Sequence, residues 1–264
     1  MSYETLIYEK HDDVGVITLN RPKTLNALNP TLRAETLEAV EEVKNDDAIR
    51  VLIFTGAGRG FSSGHDLLGE SPTEGLPSQN ERLDDLKWMG RQARAIYQLN
   101  KPTIAAMNGV AVGAGMSLSL ACDMRVGSEK SRFKTVFLER ANSTDAGMSF
   151  FLPRIVGYSR AADLIFTNRN VDAEEAYRMG LLDRIFPHDQ LLEEAIKLAK
   201  EMAFWPPMAM RSAKRVLQHN LRVGLEDALH YEVAGLTYAR QSPHDIKEQG
   251  LSFVEKRPPK FTGE

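Results

Sequence analysis

Phe61-Ser62-Ser63-Gly64-His65-Asp66 and Asn108-Gly109-Val110-Ala111-Val112-Gly113-Ala114-Gly115 are two glycine-bearing turns with the same setting. Each follows an apolar run rich in β-branched residues, Val51-Leu52-Ile53-Phe54 in one case and Pro102-Thr103-Ile104-Ala105-Ala106 in the other. Each precedes a stretch able to open a helix. A strand feeding a helix through such a turn presents backbone N–H groups outward, and two such turns aimed at one point can hold a developing oxyanion.

Working outward, residues 3–9 and 14–19 run apolar or alternate around Lys10-His11-Asp12-Asp13, which predicts a hairpin. Asn29-Pro30 predicts a helix start, with Asn29 as cap and Pro30 in the first turn. Leu32, Leu37, Val40 and Val43 follow at helical spacing. Strand, helix, strand, glycine turn, helix, strand, glycine turn, helix argues for an α/β fold of repeated ββα units with much parallel pairing. Pro72 to Asn80 reads as a surface loop near the site entrance. After about Asp172 the pattern turns wholly helical, over Ala173–Met179, Leu191–Met202, Pro207–Asn220, Leu225–Tyr238 and Asp245–Glu255. The expected organisation is a sheet-bearing core over residues 1–195 and a helical region over 196–264.

Composition narrows the function classes. The 264 residues are 42% hydrophobic and 26% charged, as in ordinary soluble proteins. A net charge of −3 supplies no global field for nucleic acid. The single cysteine, Cys122, excludes an internal disulfide framework and reads as a small core residue. The six histidines show no metal-ligand spacing. No basic, apolar leader and no spanning apolar run is visible, so a cytoplasmic protein without a membrane partner is expected.

The two turns, in this order and about this far apart, resemble the crotonase, or enoyl-CoA hydratase/isomerase, superfamily. The resemblance extends through Leu19-Asn20-Arg21-Pro22-Lys23-Thr24-Leu25-Asn26-Ala27-Leu28, Lys101 to Gly109, Phe151 to Gly157, Ala173 to Leu182 and Phe253 to Gly263. It implies a crotonase-like spiral of ββα units, a C-terminal helical trimerisation region, and homo-oligomers that are trimers or hexamers. It implies an acyl-CoA substrate, with coenzyme A as part of the substrate and no separate cofactor. The thioester oxygen would lie between the amides of His65 and Ala114, with the adenine end near Pro22, Lys23 and Ala27. Ser63, Asp66, Leu67 and Gly113 flank the two donors and are expected in the substrate site. Lys23, and the Lys256, Arg257, Lys260 cluster, could meet CoA phosphates or be solvated.

The resemblance also identifies what is missing. Hydratases of this family carry a glutamate three residues after the second donor, where Ser117 stands here, and another at the position of Phe137. Neither replacement can run the two-glutamate addition of water. Asp145, twelve residues after Phe133, occupies a place where aspartate-base isomerases of the phenylacetate-breakdown and dienoyl-CoA types carry their carboxylate. Capping the next helix is the alternative role for Asp145. Glu139 is a second candidate acid, on the same face as Phe137 if that segment is extended. The family's dehalogenases add a histidine that the stretch Lys87 to Gln92 lacks. Trp88 reads as core packing or as a wall of an acyl pocket. The His65 imidazole is either an addition to the pocket or a locally bonded ring, and Asp66 reads as a turn-fixing residue. Three functions are compatible with these residues: an enoyl-CoA isomerase using Asp145, an atypical hydratase or hydrolase using Ser117 and Glu139, or a non-catalytic acyl-CoA binder.

Overall fold

The computed structural model describes residues 3–68 and 78–264. The loop expected over Pro72 to Asn80 lies outside them up to residue 77. Ser78 caps a short helix through the amide of Glu81.

Among the described residues ten strands run as β1 (Leu6–His11), β2 (Val14–Leu19), β3 (Val51–Gly56), β4 (Gly60–Ser62), β5 (Thr103–Met107), β6 (Val110–Val112), β7 (Met124–Ser128), β8 (Arg132–Lys134), β9 (Val171–Asp172) and β10 (Arg184–Phe186). They form two sheets, ordered β1-β2-β3-β5-β7-β10 and β4-β6-β8-β9. The odd strands β3, β5 and β7 enter the larger sheet, and β4, β6 and β8 cross into the smaller one after a short turn. That repeated step is the expected ββα spiral. Pairing is parallel except for the β1–β2 hairpin and β8–β9. The hairpin turn is narrower than the sequence suggests: His11 pairs with Val14, and Asp12 takes the left-handed conformation at φ 61°.

Eleven helices occur among the described residues: α1 (Pro30–Asn45), α2 (Gln79–Leu83), α3 (Lys87–Tyr97), α4 (Ala114–Ala121), α5 (Met148–Val156), α6 (Tyr158–Thr167), α7 (Ala173–Arg178), α8 (Leu191–Ala203), α9 (Pro207–Asn220), α10 (Leu225–Ala239) and α11 (Pro243–Glu255). The Asn29 side chain accepts from the Leu32 amide and caps α1, as expected. At the other end of α1, the fully buried Lys101 ammonium donates to the carbonyls of Val43 (2.5 Å) and Asp46 (2.6 Å). A cation there satisfies carbonyls that the helix leaves over and complements its dipole.

The central strands of the larger sheet, β2, β3 and β5, are buried on both faces. Val14, Val16, Val51, Ile53, Ile104 and Ala106 point to α8, where Leu191, Ala195, Leu198 and Ala199 cover them. The alternate residues Ile17, Leu19, Leu52 and Phe54 join the main core beneath α1, α3 and α4. Residue 195 lies inside α8, so the passage from sheet to helices runs through a continuous core. The region after Asp172 is not wholly helical, because Arg184 to Phe186 adds the parallel strand β10 beside β7. A three-residue strand is too short to show alternation, which is why the sequence hides it. Cys122 is buried in the main core, and burial pushes its thiol up to about 12. No helix among the described residues is long and apolar enough to cross a membrane.

Asn26, fully buried at φ 57°, ties the segment before α1 to the β3–β4 turn. Its amide donates to the carbonyls of Ala57 (3.0 Å) and Gly60 (2.8 Å), and its oxygen accepts from the Arg21 amide (2.8 Å). Removing it strands these buried groups and places a less tolerant residue in the left-handed region. Asn26→Ala is therefore expected to lower unfolding free energy by about 3 kcal/mol in urea denaturation.

Candidate active site

The two glycine turns meet. Gly64, at φ 88°, leaves no room for a side chain: a Cβ there would lie 2.6 Å from the Val112 carbonyl oxygen and 3.4 Å from the Ala114 nitrogen. Gly115 is pressed equally hard on β4, since a Cβ would stand 2.5 Å from the Ser62 carbonyl oxygen. The geometry orients both amides. Ala114 opens α4 after Gly113, so its N–H has no acceptor within its own helix. His65 forms a parallel bridge with Leu28, in which Leu28 N donates to Gly64 O (2.7 Å) and Asp66 N to Leu28 O (3.4 Å). In that pattern the peptide groups of His65 itself turn to the side opposite Leu28.

On that side lies a cavity of about 290 Å³, lined from these turns by Ser63, Gly64, His65, Leu67, Val112, Gly113 and Ala114. Trp88 and Met89 of α3, then Val136, Phe137, Arg140, Asn142 and Asp145, complete the wall. Trp88 is thus a pocket residue as well as a packing one. Val136 holds φ 63°, a strained conformation for a β-branched residue. The preceding Thr135 pins it by bonding the Leu164 carbonyl (2.9 Å) and Asn168 (3.1 Å).

Asp145 enters this cavity with one carboxylate oxygen buried and, among the described residues, without a hydrogen-bond partner. Burial pushes its carboxyl above the usual range, and the nearby His65 acts in the opposite direction. It is not a helix cap: α5 starts after Gly147 with no side-chain cap, and only the Asp145 backbone carbonyl meets the Met148 amide (2.9 Å). That same carbonyl accepts from the Ser117 hydroxyl at 3.4 Å. Ser117 is fully buried and stands behind the cavity wall, holding the loop that carries Asp145.

Glu139 does not join the site. The segment expected to be extended is a 3-10 turn, Leu138–Arg140, which buries Phe137 against the cavity and sends Glu139 to Lys134 (2.5 Å). Pro22, Lys23 and Ala27 lie outside the cavity wall but beside it. Pro22 and Lys23 sit in an exposed 3-10 turn, whose following residues receive Ser63 through Thr24 O (2.9 Å to Oγ) and Leu25 O (2.9 Å to N). Arg21 bonds both the Ala27 carbonyl (2.5 Å) and Asp66 (2.7 Å), and Asp66 receives the Leu68 amide (3.1 Å). Asp66 thus fixes the turn. In the basic C-terminal cluster, Arg257 is held by Glu248 (2.5 Å) and Glu255 (2.6 Å).

The sequence reading missed Arg33. This buried guanidinium donates to the Leu28 carbonyl through Nε (2.8 Å), meets His65 Nδ1 through Nη2 (2.8 Å), and lies 3.8 Å over the Trp88 ring. His65 itself stacks on Trp88 at 5.8 Å. A guanidinium only donates, so Nδ1 accepts and a neutral imidazole carries its proton on Nε2. The one signal in the sequence is a cationic residue on the inward side of α1, between Leu32 and Thr36. Among the described residues no group of His, Cys, Asp and Glu could hold a metal ion.

A family model described as enoyl-CoA hydratase/isomerase matches residues 9–264. The chain is 34% identical to the probable enoyl-CoA hydratase EchA12 of Mycobacterium tuberculosis, across 97% of this chain and 92% of that one. Its structure is similar to that of an enoyl-CoA hydratase from Bacillus anthracis, with TM-score 0.89, 32% identity and coverage of 99% and 100%. It is also similar to a monofunctional enoyl-CoA isomerase from Mycobacterium smegmatis, with TM-score 0.74, 32% identity and coverage of 85% and 98%.

Because the two turns touch through Gly64, Gly64→Ala is expected to wedge them apart. The expected loss is about 100-fold in kcat on any thioester the enzyme turns over, near the cost of one oxyanion donor. Steady-state kinetics beside a thermal melt would separate this from unfolding.

Proposed function

The chain belongs to the enoyl-CoA hydratase/isomerase family and acts on acyl-CoA, and from that premise we propose that it is an enoyl-CoA isomerase with Asp145 as its base. The observation that carries this reading is the Asp145 carboxylate: half-buried, with an oxygen that has no partner among the described residues, in the same cavity as the His65 and Ala114 turns. A buried, unsatisfied carboxylate costs stability and has a use only if something else enters to meet it.

The thioester oxygen sits between the His65 and Ala114 N–H groups. Asp145 removes a proton from C2 of a 3-enoyl chain, and the C–H electron pair enters the thioester as a dienolate. The two amides stabilise the charge on oxygen, and Asp145 returns the proton at C4, leaving the double bond between C2 and C3. One carboxylate suffices, and no cofactor beyond the CoA of the substrate is required. The hydratase names of the relatives favour water addition as a second reading. Against it, Ser117 is spent on the Asp145 carbonyl and Glu139 on Lys134, so neither presents water to the cavity. A homo-oligomer, trimer or hexamer, belongs to the proposal. The exposed Leu225, Leu229, Val233 and Leu236 along α10 form an apolar face suited to a second copy.

Incubation with trans-3-hexenoyl-CoA and with crotonyl-CoA in deuterated water tests the reading. Conversion of the first to the conjugated thioester, with the second left unhydrated, is expected; rapid hydration of crotonyl-CoA would overturn the mechanism. Asp145→Asn is expected to lower isomerase kcat about 10²–10⁴-fold. The stability effect runs the other way. Asp145 binds its proton more tightly folded than unfolded, so folding stability attributable to it is full below the ordinary carboxylate pKa. That stability is lost as pH rises through the raised value. At neutral pH Asp145→Asn should therefore raise Tm, and wild-type kcat should climb with pH through an apparent pKa above the usual carboxylate range.

A further inference from the structure

Gly113 is held from two sides by the two chain neighbours of one buried threonine. Its N–H donates to the Lys134 carbonyl at 3.0 Å, where the β6–β8 pairing ends. Its other side is covered by Val136, whose Cγ1 methyl stands 3.0 Å from the place a Cβ on Gly113 would take. Thr135 lies between those two residues, 1% exposed, behind the cavity wall that Gly113 and Val136 share. Its hydroxyl donates to the Leu164 carbonyl in the last turn of α6 (2.9 Å) and reaches the Asn168 side chain (3.1 Å). Asn168 ends α6 in the left-handed conformation at φ 50°.

The clamp matters because of what Gly113 carries. Its carbonyl accepts from the Ser117 N–H at 2.9 Å and so points along α4. A trans peptide sets the next N–H antiparallel to that carbonyl, so the Ala114 N–H leaves the helix at its open end, where Ala114 lines the cavity. Any movement of Gly113 is therefore a movement of the Ala114 donor. Val136 covers Gly113 from a backbone at φ 63°, which a β-branched residue holds only where its surroundings impose it. The Thr135 anchor, one residue earlier, supplies that restraint.

We propose that Thr135, anchored with Asn168 on the end of α6, is a positioning residue for the Ala114 oxyanion donor. The inference rests on the reading of Ala114 as a donor to the thioester, and not on which reaction follows. No residue of α6 is among the described wall residues, yet through Thr135 its C-terminal end sets where the donor points.

Three variants of the full chain test it. Thr135→Val removes the hydroxyl and keeps the β-branched shape, and Thr135→Ser keeps the hydroxyl. Asn168→Gly removes the side chain while allowing the left-handed backbone. Two readouts are taken on each. One is kcat and KM on whichever of trans-3-hexenoyl-CoA and crotonyl-CoA the enzyme turns over. The other is the infrared carbonyl band of bound hexanoyl-CoA, isotopically labelled at the thioester carbon. In the wild type two amide donors should move that band to lower frequency than in water. Thr135→Val is expected to lose much of that displacement and to lower kcat about 10-fold, with KM changed less than about 2-fold. Thr135→Ser should keep both, and Asn168→Gly should follow Thr135→Val in direction. Should Thr135→Val fail to fold, Asn168→Gly carries the test by the same two readouts. A lower Tm with kcat and the band unchanged would make Thr135 a structural residue only and overturn the proposal. Equal losses in Thr135→Ser and Thr135→Val would overturn it too, since the hydroxyl would then not be the group that acts. A band that does not move when wild type binds hexanoyl-CoA would remove the donor reading and this one together. A band that moves in the wild type and moves as far in Thr135→Val and Asn168→Gly would remove this one alone.

Discussion

Gly64 against the Val112 carbonyl is the contact on which the site depends. Two chain segments almost fifty residues apart approach until backbone touches backbone, with no space for a methyl group at Gly64 or Gly115. That approach fixes the distance between the His65 and Ala114 amides without any side chain adjusting it. Packed backbone is stiffer than a hydrogen-bonded side chain, and a site meant to meet developing charge gains from donors that need not reorganise. The rest of the fold holds this contact shut. Parallel β4 and β6 carry the two turns, the β3 and β5 strands before them are locked between α8 and the main core, and Asn26 staples the outer segment to the β3–β4 loop.

Much of what makes the chain recognisable is therefore scaffold. Arg21 holds the turn through Asp66 and the Ala27 carbonyl, Asn108 bonds the Gly56 carbonyl (2.7 Å), and Lys101 closes α1. These polar residues are buried or half-buried because each satisfies backbone groups that a sharp turn or helix end leaves over. The residues that differ from the hydratase pattern, Ser117, Phe137 and Asp145, are concentrated around the cavity. A fold held rigid elsewhere can exchange its acid–base groups without moving its donors.

Legibility in the sequence tracks the physics of each element. The α1 cap, the hairpin, the strand–turn–helix pairs and the limits of α9 can be read because local chemistry sets them, through Asn29, Pro30, alternation and helical spacing. The strand β10 cannot, since three residues pairing with a distant strand carry no local period. In the candidate site, Asp145 and the two turns can be read by position, whereas the role of Ser117 cannot. A serine facing a carbonyl looks in sequence like a serine facing water. Glu139 is misplaced by its sequence because a 3-10 turn and an extended segment send alternate residues in different directions. Arg33 stays hidden because its partners, Leu28, His65 and Trp88, come together only when α1 and α3 pack beside the turn. Val136 carries no outward mark of its strained backbone at all.

The oxyanion donor proposed at His65 belongs to its peptide group, which separates two demands that most catalytic positions combine. Any amino acid except proline supplies the same N–H there, so the electrostatic core of the reaction is almost immune to point mutation at that residue. The side chain is set free to evolve independently. Here it has become an imidazole propped by Arg33 and Trp88, and in another lineage it could become something else without loss of the donor. A position that is fixed as backbone and free as side chain is a natural place for one ancestral reaction to branch toward new acyl groups.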